Sequence, residues 1–130
     1  MASVLLIHSA LGLRPAVTEL ADAITALGHT AIAPDFFEGR TFTGYDEAMA
    51  HLGEVRAAAD SRVSAAYAAL TGPVVVLGFS WGAGHAQRLA EREDDVVGAL
   101  LVAGGERYSG EWDLSWVNPF SALGSGVAGR

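Results

Sequence analysis

Apolar residues fall along this chain in two kinds of pattern. The first is the short unbroken run: Val4 to Ile7, Thr30 to Ala33, Val74 to Leu77 and Val96 to Val102. Runs of this length, bounded by Gly, Pro or Asp, read as strands buried on both faces. The second recurs at helical spacing. Val17, Leu20, Ala21, Ile24 and Leu27 share one face, Pro15 suits the first turn and Gly28 stands where a C-terminal cap is wanted. Met49, Leu52, Val55, Ala59, Val63, Ala66 and Leu70 trace one face of a long helix from Tyr45 to Leu70, which Gly72-Pro73 stops. A third helix is expected from Ala83 to Arg92.

Strand and helix therefore alternate four times with short connections. That order predicts an α/β fold, a four-stranded parallel sheet flanked by helices on both faces, filling one domain over residues 1–103. Ligands of such sheets sit beyond the carboxyl ends of the strands, which places His8-Ser9-Ala10, Asp35 and Ser80 along one rim. After Ala103 the pattern stops. Residues 104–130 hold Trp112 and Trp116 and end in small residues, so an irregular, partly disordered tail is expected. The fourth apolar strand would then be an open edge, to be covered by the tail or by a second copy in a homodimer.

Charge and composition narrow the chemistry. The formal net charge is −7 and all eight basic residues are Arg, which disfavours nucleic-acid binding. Without Lys no Walker A loop is possible, and Gly82-Ala83-Gly84 lacks the further glycine of a dinucleotide-binding turn. With no Cys, disulfides, thiolate catalysis and Cys-ligated metals are excluded. The four His are not at metal-binding spacings, so neither metal nor cofactor is expected. No apolar stretch approaches the roughly 20 residues that span a bilayer, and no basic segment precedes Val4, so a soluble cytoplasmic protein with no membrane partner is expected.

The most informative segment is Gly78-Phe79-Ser80-Trp81-Gly82. It matches G-x-S-x-G in the right setting, after a strand and before a helix. There a sharp turn exposes the serine oxygen, small glycines let strand and helix approach, and the Trp81 N–H at the helix start faces a reacting carbonyl. The plainer reading of Ser80 is a helix N-cap.

Together with Val4 to Leu13, Gly28-His29-Thr30 and Ala33 to Arg40, this segment resembles the dienelactone hydrolase family over about the first hundred residues. The resemblance implies an α/β-hydrolase fold, Ser80 at the nucleophile position, and an oxyanion hole built from the backbone N–H groups of Ala10 and Trp81. It also implies a small carboxylic ester or lactone substrate and an acyl-Ser80 intermediate. Dienelactone hydrolases proper carry cysteine where this chain has Ser80. In the family order an acid and then a histidine follow the nucleophile, whereas the only histidine after Ser80 is His85.

His85 is expected to pack, His29 falls at the amino end of its strand, and His51 is expected on a helix surface. His8, at the end of the first strand, is the remaining candidate base, with loop ordering as its plainer role. Among acids, Asp35, Glu106 and Asp113 lie on the correct side but have no histidine to orient. Asp94 and Asp95 precede the fourth strand, at the opposite end. The family pattern thus appears truncated after the fourth strand, and activity is expected to be impaired. The rival reading is a non-catalytic remnant, a binding or self-associating module of the same fold.

Overall fold

The computed structural model describes residues 2–102 and the backbone of a last strand, Gly126–Gly129. In chain order the elements are β1 (Ser3–Ile7), α1 (Pro15–Ala26), β2 (Thr30–Ile32), α2 (Tyr45–Ala68), β3 (Val74–Phe79), α3 (Trp81–Arg92), β4 (Val96–Val102) and β5 (Gly126–Gly129). The sheet runs β2-β1-β3-β4-β5. Its first four strands are parallel, and β5 joins β4 antiparallel, opposite Gly98 to Leu101. The tail is therefore not irregular throughout: its last residues cover the β4 edge that the sequence left open. Trp112, Trp116, Glu106 and Asp113 lie outside the described residues.

Alternation along β1 explains the two layers. Leu5 and Ile7 face a core shared with α2 and α3, through Ala59, Val63, Ala83 and Ala86, while Val4 and Leu6 face α1 through Val17 and Ala21. Every strand between two helical layers must be apolar on both sides, which is why these segments read as unbroken runs.

The ends follow the local chemistry. Gly28 takes φ +97° and donates its N–H to Thr25 at 3.0 Å, closing α1 as a left-handed cap. Gly72, at φ +76°, turns the chain after α2. Helix α3 begins at Trp81, two residues before the sequence pattern placed it, because one residue, Ser80, makes the whole reversal from strand to helix. The chain leaves β1 toward β2 on one side and returns to β3 on the other. The crevice between the carboxyl ends of β1 and β3 is thus the switch point of the sheet.

Candidate functional site at the β1 and β3 carboxyl ends

Ser80 is exposed and takes φ +53°, ψ −107°. A non-glycine residue at positive φ is strained by about 1–3 kcal/mol and persists only where its surroundings fix it. Several contacts do so. The Ser80 N–H donates to the Val102 carbonyl and the Ala83 N–H to the Ser80 carbonyl, both at 2.9 Å. The glycines on either side supply the rest. A Cβ on Gly78 would overlap the Gly82 carbonyl and stand 2.6 Å from the Ala83 nitrogen. One on Gly82 would overlap the Ile7 carbonyl and stand 2.6 Å from that of His8. Both positions need glycine because backbone meets backbone there.

The Ser80 side chain does not cap α3. Ser80 thus occupies the N-cap position without the side-chain bond of an ordinary N-cap serine, at the open end of β3 beside the first turn of the helix.

The loop after β1 is equally well defined. Gly12, at φ +92°, donates to the Ser9 carbonyl at 3.0 Å, and the Leu11 N–H donates to Ser9 Oγ at 3.1 Å. Ala10 is buried in this turn. Among the described residues, no hydrogen bond takes up the backbone N–H of Ala10 or of Trp81.

His8 is placed differently from Ser80, although both end neighbouring strands. It is fully buried, and both ring nitrogens are engaged by backbone. Nδ1 lies 2.8 Å from the Ser9 carbonyl, and the Phe36 N–H donates to Nε2 at 3.0 Å. A carbonyl only accepts and an amide N–H only donates, so the ring is neutral with its hydrogen on Nδ1. Burial holds its pKa below the usual histidine value, against the Ser9 hydrogen bond and the Asp35 charge, which raise it. Its basic lone pair is thus already committed. These two contacts tie the end of β1 to the loop after β2.

Asp35 is likewise part of this scaffold. Its carboxylate accepts the Phe37 and Gly39 N–H groups at 2.8 and 2.9 Å, and Arg62 of α2 donates to the Phe36 carbonyl at 3.0 Å and pairs with Glu38. The remaining histidines are also engaged or enclosed. The Ala2 N–H donates to His29 Nδ1 at 3.3 Å, at the amino end of β2. His51 is not on a surface: it is buried between Phe37 and Phe42, at 5.0 and 4.8 Å between ring centres. The helical spacing put it beside the apolar face of α2, but the cover came from a loop whose path the spacing does not encode.

His85 packs, as expected, but against a partner the sequence did not suggest. Its Nε2 is 2.9 Å from Asp60 Oδ1 of α2. The available signal was the adjacency of Asp60 to Ala59 and Val63 on the buried face. Among the described residues no group of His, Asp and Glu is arranged to hold a metal, and no helix is long and apolar enough to cross a membrane.

The sequence profile of the dienelactone hydrolase family matches residues 1–114. Comparison with curated proteins returns no match. The four-stranded parallel core is the partial α/β-hydrolase fold that the motifs implied, and a hydrolase-type function follows at this coarse level. On its sheet order, its strand-turn-helix at Ser80 and this match over most of its length, the chain belongs to the dienelactone hydrolase family.

Proposed function

We propose that this protein is a serine hydrolase of small carboxylic esters or lactones, with Ser80 as nucleophile. The observation that carries the reading is the exposed Ser80 at φ +53°, locked by two glycines whose replacement would force backbone overlap. A merely structural turn has no need to present a hydroxyl in this strained form.

In this reading Ser80 Oγ attacks the carbonyl carbon while its proton passes to solvent. The carbonyl oxygen takes the negative charge and is met by the backbone N–H groups of Ala10 and Trp81. Collapse of the tetrahedral adduct expels the alcohol, which takes up a proton, and leaves acyl-Ser80. Water then adds to the acyl carbon, releasing the acid and returning the proton to Ser80.

Both chemical steps are slow here. The described hydrogen bonds bring no histidine to Ser80 Oγ; His8 is held by Ser9 and Phe36, and His85 Nε2 by Asp60. Triad hydrolases lose about 10⁶-fold in turnover without their histidine, and a residual roughly 10³ to 10⁴ over water comes from binding and the oxyanion hole. That saturation of His8 also favours the second reading, a non-catalytic binding module that keeps the site's shape.

Incubation with a p-nitrophenyl ester of a short acid, followed by intact mass, tests the first reading. An acyl adduct on the wild type that is absent from Ser80→Ala is expected, with turnover far below that of a complete triad enzyme. Equal acylation of the two proteins, or none of either, would leave the binding-module reading.

A further inference from the structure

Trp81 follows Ser80 directly, and its side chain is a wedge between three parts of the fold. Its ring lies 5.8 Å from His8 at the end of β1, and 6.4 and 5.3 Å from Phe36 and Phe37 in the loop after β2. The nearest ring belongs to His85, one turn along α3, at 4.7 Å and 75°, an edge-to-face contact. Aromatic pairs in this geometry contribute about 0.5–1.5 kcal/mol beyond their buried area.

The orientation of the His85 ring is itself fixed from outside α3. Against a carboxylate, which only accepts, Nε2 must carry the hydrogen, so His85 donates to Asp60. Asp60 comes from α2, the helix whose Arg62 also clamps the Phe36 carbonyl. Asp60 therefore links the long helix to the imidazole, and the imidazole presses on the indole of the residue that follows the strained serine.

We propose that Asp60 and His85 are positioning residues for the Ser80 turn: they hold Trp81 so that its backbone N–H stays aimed at the oxygen of an adduct on Ser80. The inference deepens the serine-hydrolase reading and rests on it for its effect on reaction. Its effect on Trp81 stands apart from that reading. Positive φ at Ser80 survives only if the surroundings over-determine it, and the indole wedge is the side-chain part of that restraint. Relaxing it lets the turn fluctuate, which weakens the response to charge on the adduct before it weakens binding.

The test uses the full chain labelled with 5-fluorotryptophan, the Trp81 resonance being assigned with Trp81→Phe. Two readouts are followed: the ¹⁹F shift and width of Trp81, and the rate constants for phosphonylation by a fluorophosphonate. In that step Ser80 Oγ forms a bond to phosphorus, fluoride leaves and the serine proton goes to solvent.

Asp60→Ala should shift or broaden the Trp81 resonance and lower the maximal phosphonylation rate about tenfold, with half-saturation changed less than twofold. Asp60→Asn, whose amide oxygen still accepts, should restore both towards wild type. His85→Gln keeps a donor without the ring and should resemble Asp60→Ala.

A Trp81 resonance unmoved in Asp60→Ala overturns the proposal, as does an Asn variant no better than Ala. If Asp60→Ala fails to fold, His85→Gln is the deciding variant, and an unmoved resonance there overturns it equally. Should wild type resist phosphonylation, the hydrolase reading fails, whereas the ¹⁹F result still decides whether the pair positions Trp81.

Discussion

His8 and Ser80 end adjacent parallel strands, and either could have been taken as a reactive group by residue type. Their environments are opposite. Ser80 is exposed, at positive φ and without a side-chain capping bond, whereas His8 is buried and bonded at both nitrogens. Reactivity follows what the surroundings leave unsatisfied. In the proposed reading the backbone of the β3 turn is over-constrained to keep one hydroxyl available, and the imidazole of the β1 end is used up in joining Ser9 to Phe36. One position costs stability for presentation; the other supplies stability.

The contrast is broken most severely by Gly82→Ala. The added methyl group would meet the Ile7 and His8 carbonyls at the junction of the two strand ends, so a loss of about 3 kcal/mol or more in denaturant unfolding is expected. Gly53→Ala in α2, where a Cβ meets nothing within 4 Å, should instead stabilise by about 0.5–1 kcal/mol. Equal effects at the two glycines would mean that the turn is not held by close approach.

Next in size is His8→Ala. It empties a buried ring site and strands the Ser9 carbonyl and the Phe36 N–H, and a cost of about 3 kcal/mol is expected from the cavity and the two lost hydrogen bonds. A denaturant midpoint within error of wild type would remove the scaffold role.

A smaller effect appears in pH. Burial lowers the His8 pKa from 6.5, so below about that pH the unfolded chain takes a proton that the native ring refuses. Stability from this group is complete above the unfolded value and falls as pH drops towards the native one, by at most about 1.4 kcal/mol per pH unit. The difference in unfolding free energy between wild type and His8→Asn should therefore shrink between pH 7.5 and 5.5. A difference that stays constant or widens would show that His8 is protonated in the native state.

The smallest change has the opposite sign. Ser80→Gly removes a side chain from φ +53° and should raise stability by about 1 kcal/mol, read as a higher melting temperature, while abolishing acylation. A lower melting temperature would argue that the hydroxyl is stabilising and that the turn is structural.

Much of this is legible in the sequence alone. The unbroken runs Val4 to Ile7 and Val74 to Leu77 marked strands covered on both faces, and Gly28 and Gly72-Pro73 marked helix ends, because those signals are local. Gly78 and Gly82 announced a close approach, though not that Gly82 backs onto β1. What could not be read was pairing at a distance. Asp60 meets His85 across 25 positions, and Phe36 meets His8 across 28; neither partner has a spacing signature. The same limit misplaced His51, since one helix face predicts what lies under it but not which loop folds over its margin.

Phosphonylation per folded molecule, compared between wild type, Ser80→Ala and His8→Asn by intact mass, tests the central claim most directly. The account predicts one adduct on the wild type, none on Ser80→Ala, and on folded His8→Asn an adduct formed within about threefold of the wild-type rate. Loss of labelling in folded His8→Asn, with Ser80 still in place, would contradict it by making His8 the base.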